Sequence, residues 1–139
     1  MKVEWQEYLS TGVLEIDIQH KLLFEKYNAF LAAVEAERGP EEIGKLFWFL
    51  EAYTVTHFRE EEEVMQRLGH TELPRHRMEH HDFVRKVLDF KERLKSEGPT
   101  PHLILTTTRF ISTWLINHIS VMDRAIGKTA ASKTSGSLE

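Results

Sequence analysis

The chain has 139 residues, 41% hydrophobic and 29% charged, with a net charge of -4 and no cysteine. That suffices for one domain with one hydrophobic core, and it excludes a disulfide framework, a thiolate metal site and a thiol nucleophile. The acidic balance gives no basic footprint for nucleic acid or anionic lipid, and no stretch approaches the roughly 20 apolar residues needed to span a bilayer. Residues 1–12 carry no apolar run of the signal-peptide kind, so the expectation is a cytoplasmic protein without membrane insertion.

Taken in chain order, residues 1–11, with Trp5, Tyr8 and Leu9, are expected to form an arm packed over the body. A first helix over residues 16–37 carries Ile16, His20, Leu23, Phe24, Tyr27, Phe30, Leu31 and Val34 at spacings of three and four, which puts His20 on the apolar face. Gly39-Pro40 breaks the pattern, with Pro40 well placed just ahead of the second helix. That helix, residues 41–68, aligns Leu46, Leu50, Tyr53, His57, Glu61, Val64, Met65 and Leu68. After the link from Gly69 to Pro74, a third helix over 74–97 aligns His76, His80, Phe83, Val84, Val87, Leu88 and Leu94. After Gly98-Pro99-Thr100-Pro101, a fourth over 101–125 aligns Leu103, Leu105, Thr108, Ile111, Leu115, His118 and Met122. Short links make neighbouring helices antiparallel, so the predicted fold is all-α: an up-down-up-down antiparallel four-helix bundle with an N-terminal arm, one domain over residues 1–131. Residues 132–139 are small and polar and end Gly-Ser-Leu-Glu, which reads as a disordered tail or a scar of expression cloning.

Five of the eight histidines join two carboxylates in one ordered series: His20; His57 with Glu61; His76 with His80; His118 with Asp123. Any one pair is a weak motif. One group in each of four successive helices, each centred on an apolar stripe, is much harder to obtain by accident. Positions i and i+4 lie about 40° apart around a helix, so His57 with Glu61, and His76 with His80, each aim two donors at one spot on the bundle axis. Imidazole with carboxylate suits iron, zinc or manganese, and the lack of sulfur argues against soft metals. These seven residues are therefore the candidate metal ligands, and no residue is assigned a catalytic role. The step from His118 to Asp123 turns about 140° on a regular helix, which predicts a π-bulge or a fraying turn there. Two octahedral irons sharing these donors and one solvent-derived oxygen bridge would keep a single open position, where a small molecule such as dioxygen could bind.

The remaining histidines, His70, His81 and His102, fall in links or on the outer face and receive no role. The run Glu60 to Glu63 reads as solvated surface with only Glu61 turned inward, which leaves no acid poised to cleave bound peroxide. The cluster Phe47, Trp48 and Phe49 reads as packing, broad enough to leave Trp48 partly outside the core as a weak self-association surface on an otherwise monomeric chain.

With its flanks Ile16-Asp17-Ile18-Gln19-His20, His57-Phe58-Arg59-Glu60-Glu61-Glu62 through Met65, and Trp114-Leu115-Ile116-Asn117-His118-Ile119 through Asp123, the series resembles the hemerythrins, specifically the bacterial single-domain type. The resemblance runs from about Trp5 to Ala125. It implies a non-haem di-iron centre with an oxo or hydroxo bridge and dioxygen as ligand. On that resemblance one iron takes His20 and His57 and holds the vacancy, the other takes His76, His80 and His118, and Glu61 and Asp123 bridge them. The resemblance also places Phe58, Leu115 and Ile119 around the oxygen pocket, where an apolar wall excludes water and protons. The expected function is reversible dioxygen binding for transport, storage or supply, without enzymatic turnover. Alternatives are an oxygen or redox sensor acting through a separate partner, or a di-iron redox enzyme acting on peroxide or nitric oxide.

Overall fold

The computed structural model describes residues 4–123, 125, 128 and 129, with the side chains of 121–123 left aside. A short 3-10 turn, Glu7–Leu9, precedes four helices: α1 (Leu14–Glu35), α2 (Gly39–Leu68), α3 (Leu73–Glu97) and α4 (Pro101–Asn117). A π-helix, His118–Asp123, continues from the end of α4. Helices adjacent in sequence pack along one another, and α4 closes back on α1, which makes the up-down-up-down antiparallel bundle. No strand occurs among the described residues, and none of the described helices is long and apolar enough to cross a membrane.

Helix α1 begins and ends two residues earlier than its apolar stripe suggests, and both shifts have local causes. At its start, the Asp17 carboxylate accepts from the Thr11 backbone N–H (2.7 Å), the Thr11 hydroxyl (2.8 Å) and the Ser10 hydroxyl (2.5 Å). The Thr11 hydroxyl also accepts from the Val13 N–H at 3.1 Å, which fixes the entry of the chain into the helix. At its end, Glu37 takes a left-handed φ of 61°, and the N–H groups of Glu37 and Arg38 close on the carbonyls of Val34 and Ala33. Gly39 therefore opens α2 instead of terminating α1. Its missing side chain serves close packing, because a Cβ there would fall 3.2 Å from Val34 Cγ2 and 3.3 Å from Ile104 Cδ1. The other helix ends carry ordinary signals: Gly69 is left-handed at the end of α2, and the Thr100 hydroxyl caps α4 by accepting from Leu103 N–H at 3.1 Å.

The arm is tethered as expected, with Leu9 buried and the Trp5 ring 5.8 Å from Phe24, whereas Tyr8 faces solvent. One end of the bundle is filled mainly by apolar side chains, Phe30, Ile43, Leu46, Phe47, Phe90 and Leu103, together with Tyr27. There Phe47 stacks on Phe90 with centroids 5.9 Å apart, and the Tyr27 hydroxyl donates to the Thr108 carbonyl at 2.9 Å. Two leucines expected inside are out: Leu88 is 42% and Leu105 44% exposed. Each residue advances about 100° around a helix, so Leu88 is swung off the face that Phe83, Val87 and Phe90 share, and Leu105 points away from Leu103 and Thr107. Trp48 lies on the surface while its neighbour Phe47 is buried.

Candidate metal centre

At the opposite end of the bundle the interior is equally closed but polar. His20, His57, Glu61, His76, His80 and His118 are all buried, between 0 and 3% exposed. They come from the first half of α1, the second half of α2, the first half of α3 and the junction of α4 with the π-helix. Alternating helix directions bring these four stretches to one level.

Glu61 divides the five imidazoles between its two oxygens. Oε2 lies 3.3 Å from His20 Nε2 and 3.3 Å from His57 Nε2. Oε1 lies 3.0 Å from His80 Nε2, 3.5 Å from His118 Nε2 and 3.6 Å from His76 Nδ1. The donor atoms of Glu61, His76, His80 and His118 fall within 4.8 Å of one another, as do those of His20, His57 and Glu61. Two metal-sized groups thus share one carboxylate. Burial by itself disfavours the ionised carboxyl of Glu61, but hydrogen bonds from His118, His20, His57 and His76 outweigh it and hold the group well below its usual range.

Asp123, the remaining candidate ligand, closes the π-helix, and its side chain lies outside the described ones. The backbone between His118 and Asp123 does leave α geometry, as the five-residue spacing requires, since i→i+5 bonding brings residues five apart toward one face.

Three of the imidazoles are held from behind. His57 Nδ1 donates to Gln19 Oε1 at 2.5 Å, and the amide is oriented by its own Nε2 donating to Glu60. The Tyr53 hydroxyl donates to the Gln19 carbonyl at 2.9 Å. His80 Nδ1 donates to Glu62 Oε2 at 2.8 Å, with Arg77 Nε 3.2 Å from the other Glu62 oxygen. His118 Nδ1 donates to Glu79 Oε2 at 3.1 Å, a bond that pulls the Glu79 carboxyl below its ordinary value against the opposing effect of burial. An imidazole held through Nδ1 is oriented so that Nε2, the nitrogen facing Glu61, can give up its proton and offer its lone pair when a metal ion takes the place of that hydrogen bond. The donor set therefore fits a pair of borderline cations. Glu60 and Glu62 are more than the solvated surface their positions suggest, because Glu62 meets the outer nitrogen of His80 and Glu60 holds the Gln19 amide that meets His57.

His70 lies in the link between α2 and α3, as expected, but it is buried. The chain turns at Gly69 and tucks the ring inside, where Nδ1 meets the Thr129 hydroxyl at 2.8 Å and the ring sits edge-on to His76, centroids 5.7 Å apart. Burial, with the neighbouring His76 adding to it and Glu72 opposing, keeps its pKa below the ordinary histidine value. His81 and His102 are exposed.

The apolar wall is built from the same helices. The Phe58 ring lies parallel to His80 at 3.9 Å and 5.5 Å from His57. Leu115, one turn before His118, and Ile119, immediately after it, are both buried. Trp114 stacks on His118 at 4.3 Å, a contact the sequence signals only through the i, i+4 spacing of the two residues.

The sequence matches the family model described as the Hemerythrin HHE cation binding domain over residues 11–130, so the chain belongs to the hemerythrin family. It is 35% identical over 117 residues to a bacteriohemerythrin of Methylococcus capsulatus, covering 84% of this chain and 87% of that protein. A bacteriohemerythrin of Clostridium acetobutylicum is 28% identical over 123 residues, covering 86% and 95% of the two chains. The crystal structure of a wild-type hemerythrin superposes with a TM-score of 0.79 at 31% identity, over 93% of this chain and 98% of the other.

Proposed function

We propose that this chain binds dioxygen reversibly at a non-haem di-iron centre, for transport, storage or supply, and does not turn a substrate over. The observation that carries the reading is the two-against-three division of histidines about the Glu61 carboxylate. A metal on His20 and His57 has one imidazole fewer than a metal on His76, His80 and His118, which supports an open position on the first. Asp123, at the end of the π-helix, is the second bridging carboxylate in this reading. When bound, two irons joined by an oxo or hydroxo bridge supply reversible two-electron chemistry toward dioxygen. The chain's own residues keep that chemistry from running on. Phe58, Leu115 and Ile119 exclude water, and the outer protons stay on Nδ1 of His57, His80 and His118, directed away from the pocket toward Gln19, Glu62 and Glu79.

Iron-loaded protein, reduced without air and then exposed to oxygen, should develop a visible charge-transfer band that fades under vacuum, at two irons per chain. Immediate oxidation with no such band would favour the sensor or redox-enzyme alternative. Leu115→Asn should speed autoxidation, and an unchanged rate would remove Leu115 from the pocket.

A further inference from the structure

We propose that Gln19, Glu62 and Glu79 make the two halves of the centre electronically unequal, so that the half built on His80 and His118 holds its metal in the higher oxidation state more firmly than the half built on His57. The inference rests on the di-iron reading above and concerns the difference in charge among the outer partners, which that reading does not use. His80 and His118 each donate from Nδ1 to a carboxylate, Glu62 and Glu79, at 2.8 and 3.1 Å. His57 donates from the same atom to the neutral amide oxygen of Gln19 at 2.5 Å. A carboxylate behind an imidazole draws the Nδ1 proton toward itself and raises the basicity of Nε2, whereas an amide does so far less. The more basic nitrogen stabilises the more highly charged metal.

The amide cannot exchange its polarity casually. Gln19 Nε2 donates to Glu60, so the amide oxygen is committed to His57, and the Tyr53 hydroxyl anchors the Gln19 backbone. Glu62 is fixed with equal care, since Arg77 holds one oxygen at 3.2 Å while the other faces His80. Glu79 has Arg75 Nε 4.0 Å from its free oxygen. Both carboxylates are thus held by a cation on the far side and an imidazole on the near side. The consequence is an ordered reduction: the first electron enters on the His57 side, the second on the side of His80 and His118.

The test is a mediated redox titration of the iron-loaded full chain, following the visible spectrum through its two one-electron steps. Glu62→Gln and Glu79→Gln should each raise the second midpoint and leave the first nearly in place. The paired exchange Gln19→Glu with Glu60→Gln keeps the hydrogen bond between residues 19 and 60 while putting a carboxylate behind His57, and it should lower the first midpoint. Both manipulations narrow the gap between the steps, by opposite movements, which a loss of mere side-chain support would not produce. Midpoints that stay fixed, or that shift together, at two irons per chain would overturn the inference alone. Fewer than two irons per chain in the unaltered protein would overturn the functional reading and this inference with it.

Discussion

Phe47 at one end of the bundle and Glu61 at the other are each no more than 1% exposed, yet taking them out of water has opposite signs. Burying an aromatic ring releases about 1.5–3 kcal/mol, so the apolar end is stabilised by its own closure. Burying a carboxylate costs several kcal/mol unless donors surround it, and around Glu61 those donors are five imidazoles. Neutral imidazoles offer a limited number of protons to that carboxylate, and their remaining lone pairs converge. One end of the molecule therefore folds on packing, while the other is assembled for cations that bring the missing charge.

That difference can be broken first from the apolar side. Phe47→Ala should cost about 3–5 kcal/mol in urea unfolding, because the cavity would open against Phe90, and metal content of the folded protein should be unchanged. Removing metal with a chelator should act in reverse. Amide exchange should rise around residues 57–61, 76–80 and 115–120 and stay slow around 43–50, 87–90 and 103–111; a uniform rise would mean that the two ends are one cooperative unit. Glu61→Gln removes a donor shared by both groups and should weaken metal binding by more than the roughly 10–100-fold typical of losing an outer partner, read by competition with a coloured chelator.

Acid sharpens the contrast further. The Glu61 carboxyl titrates below its ordinary 4.5, so in metal-free protein the unfolded chain takes up that proton first. The contribution of ionised Glu61 is complete above pH 4.5 and is lost as pH falls through the lower folded value. Metal-free Glu61→Gln should accordingly show a flatter fall in urea midpoint below pH 4.5 than the unaltered chain. The smallest effect belongs to the surface: Trp48→Ser should change stability by no more than about 0.5 kcal/mol, and sedimentation at high concentration would show whether this side chain mediates self-association.

The helices and the inward histidines were legible because both follow the 3.6-residue period, and a ligand on a bundle axis must share the stripe of the core residues around it. His57, Glu61, His76 and His80 could hardly sit elsewhere. The five-residue step to Asp123 was legible for the opposite reason, as a conflict with that period. Gln19, Glu62 and Glu79 were not, because they lie on the polar flanks of the helices, where a glutamate bonded to an imidazole has the same spacing as one bonded to water. His70 is a link residue, as its place beside Gly69 suggests, but nothing in a sequence reports that this turn folds back beneath His76. Leu88 and Leu105 show the converse error, in which apolar character stands in for direction.

In register language, the π-helix is an insertion. Four residues separate His57 from Glu61 on regular α2, and five separate His118 from Asp123, so the last segment carries one residue more than a shared face requires. On a regular α-helix that extra residue would advance everything after it by about 100°, and the i→i+5 bonding of the π-helix absorbs the advance. Thr129, whose hydroxyl meets His70 Nδ1 at 2.8 Å, is downstream of the insertion. A chain shortened by one residue between His118 and Asp123 would close that stretch as regular α-helix, still present a histidine and an aspartate on one side, and keep Thr129 in phase to meet His70.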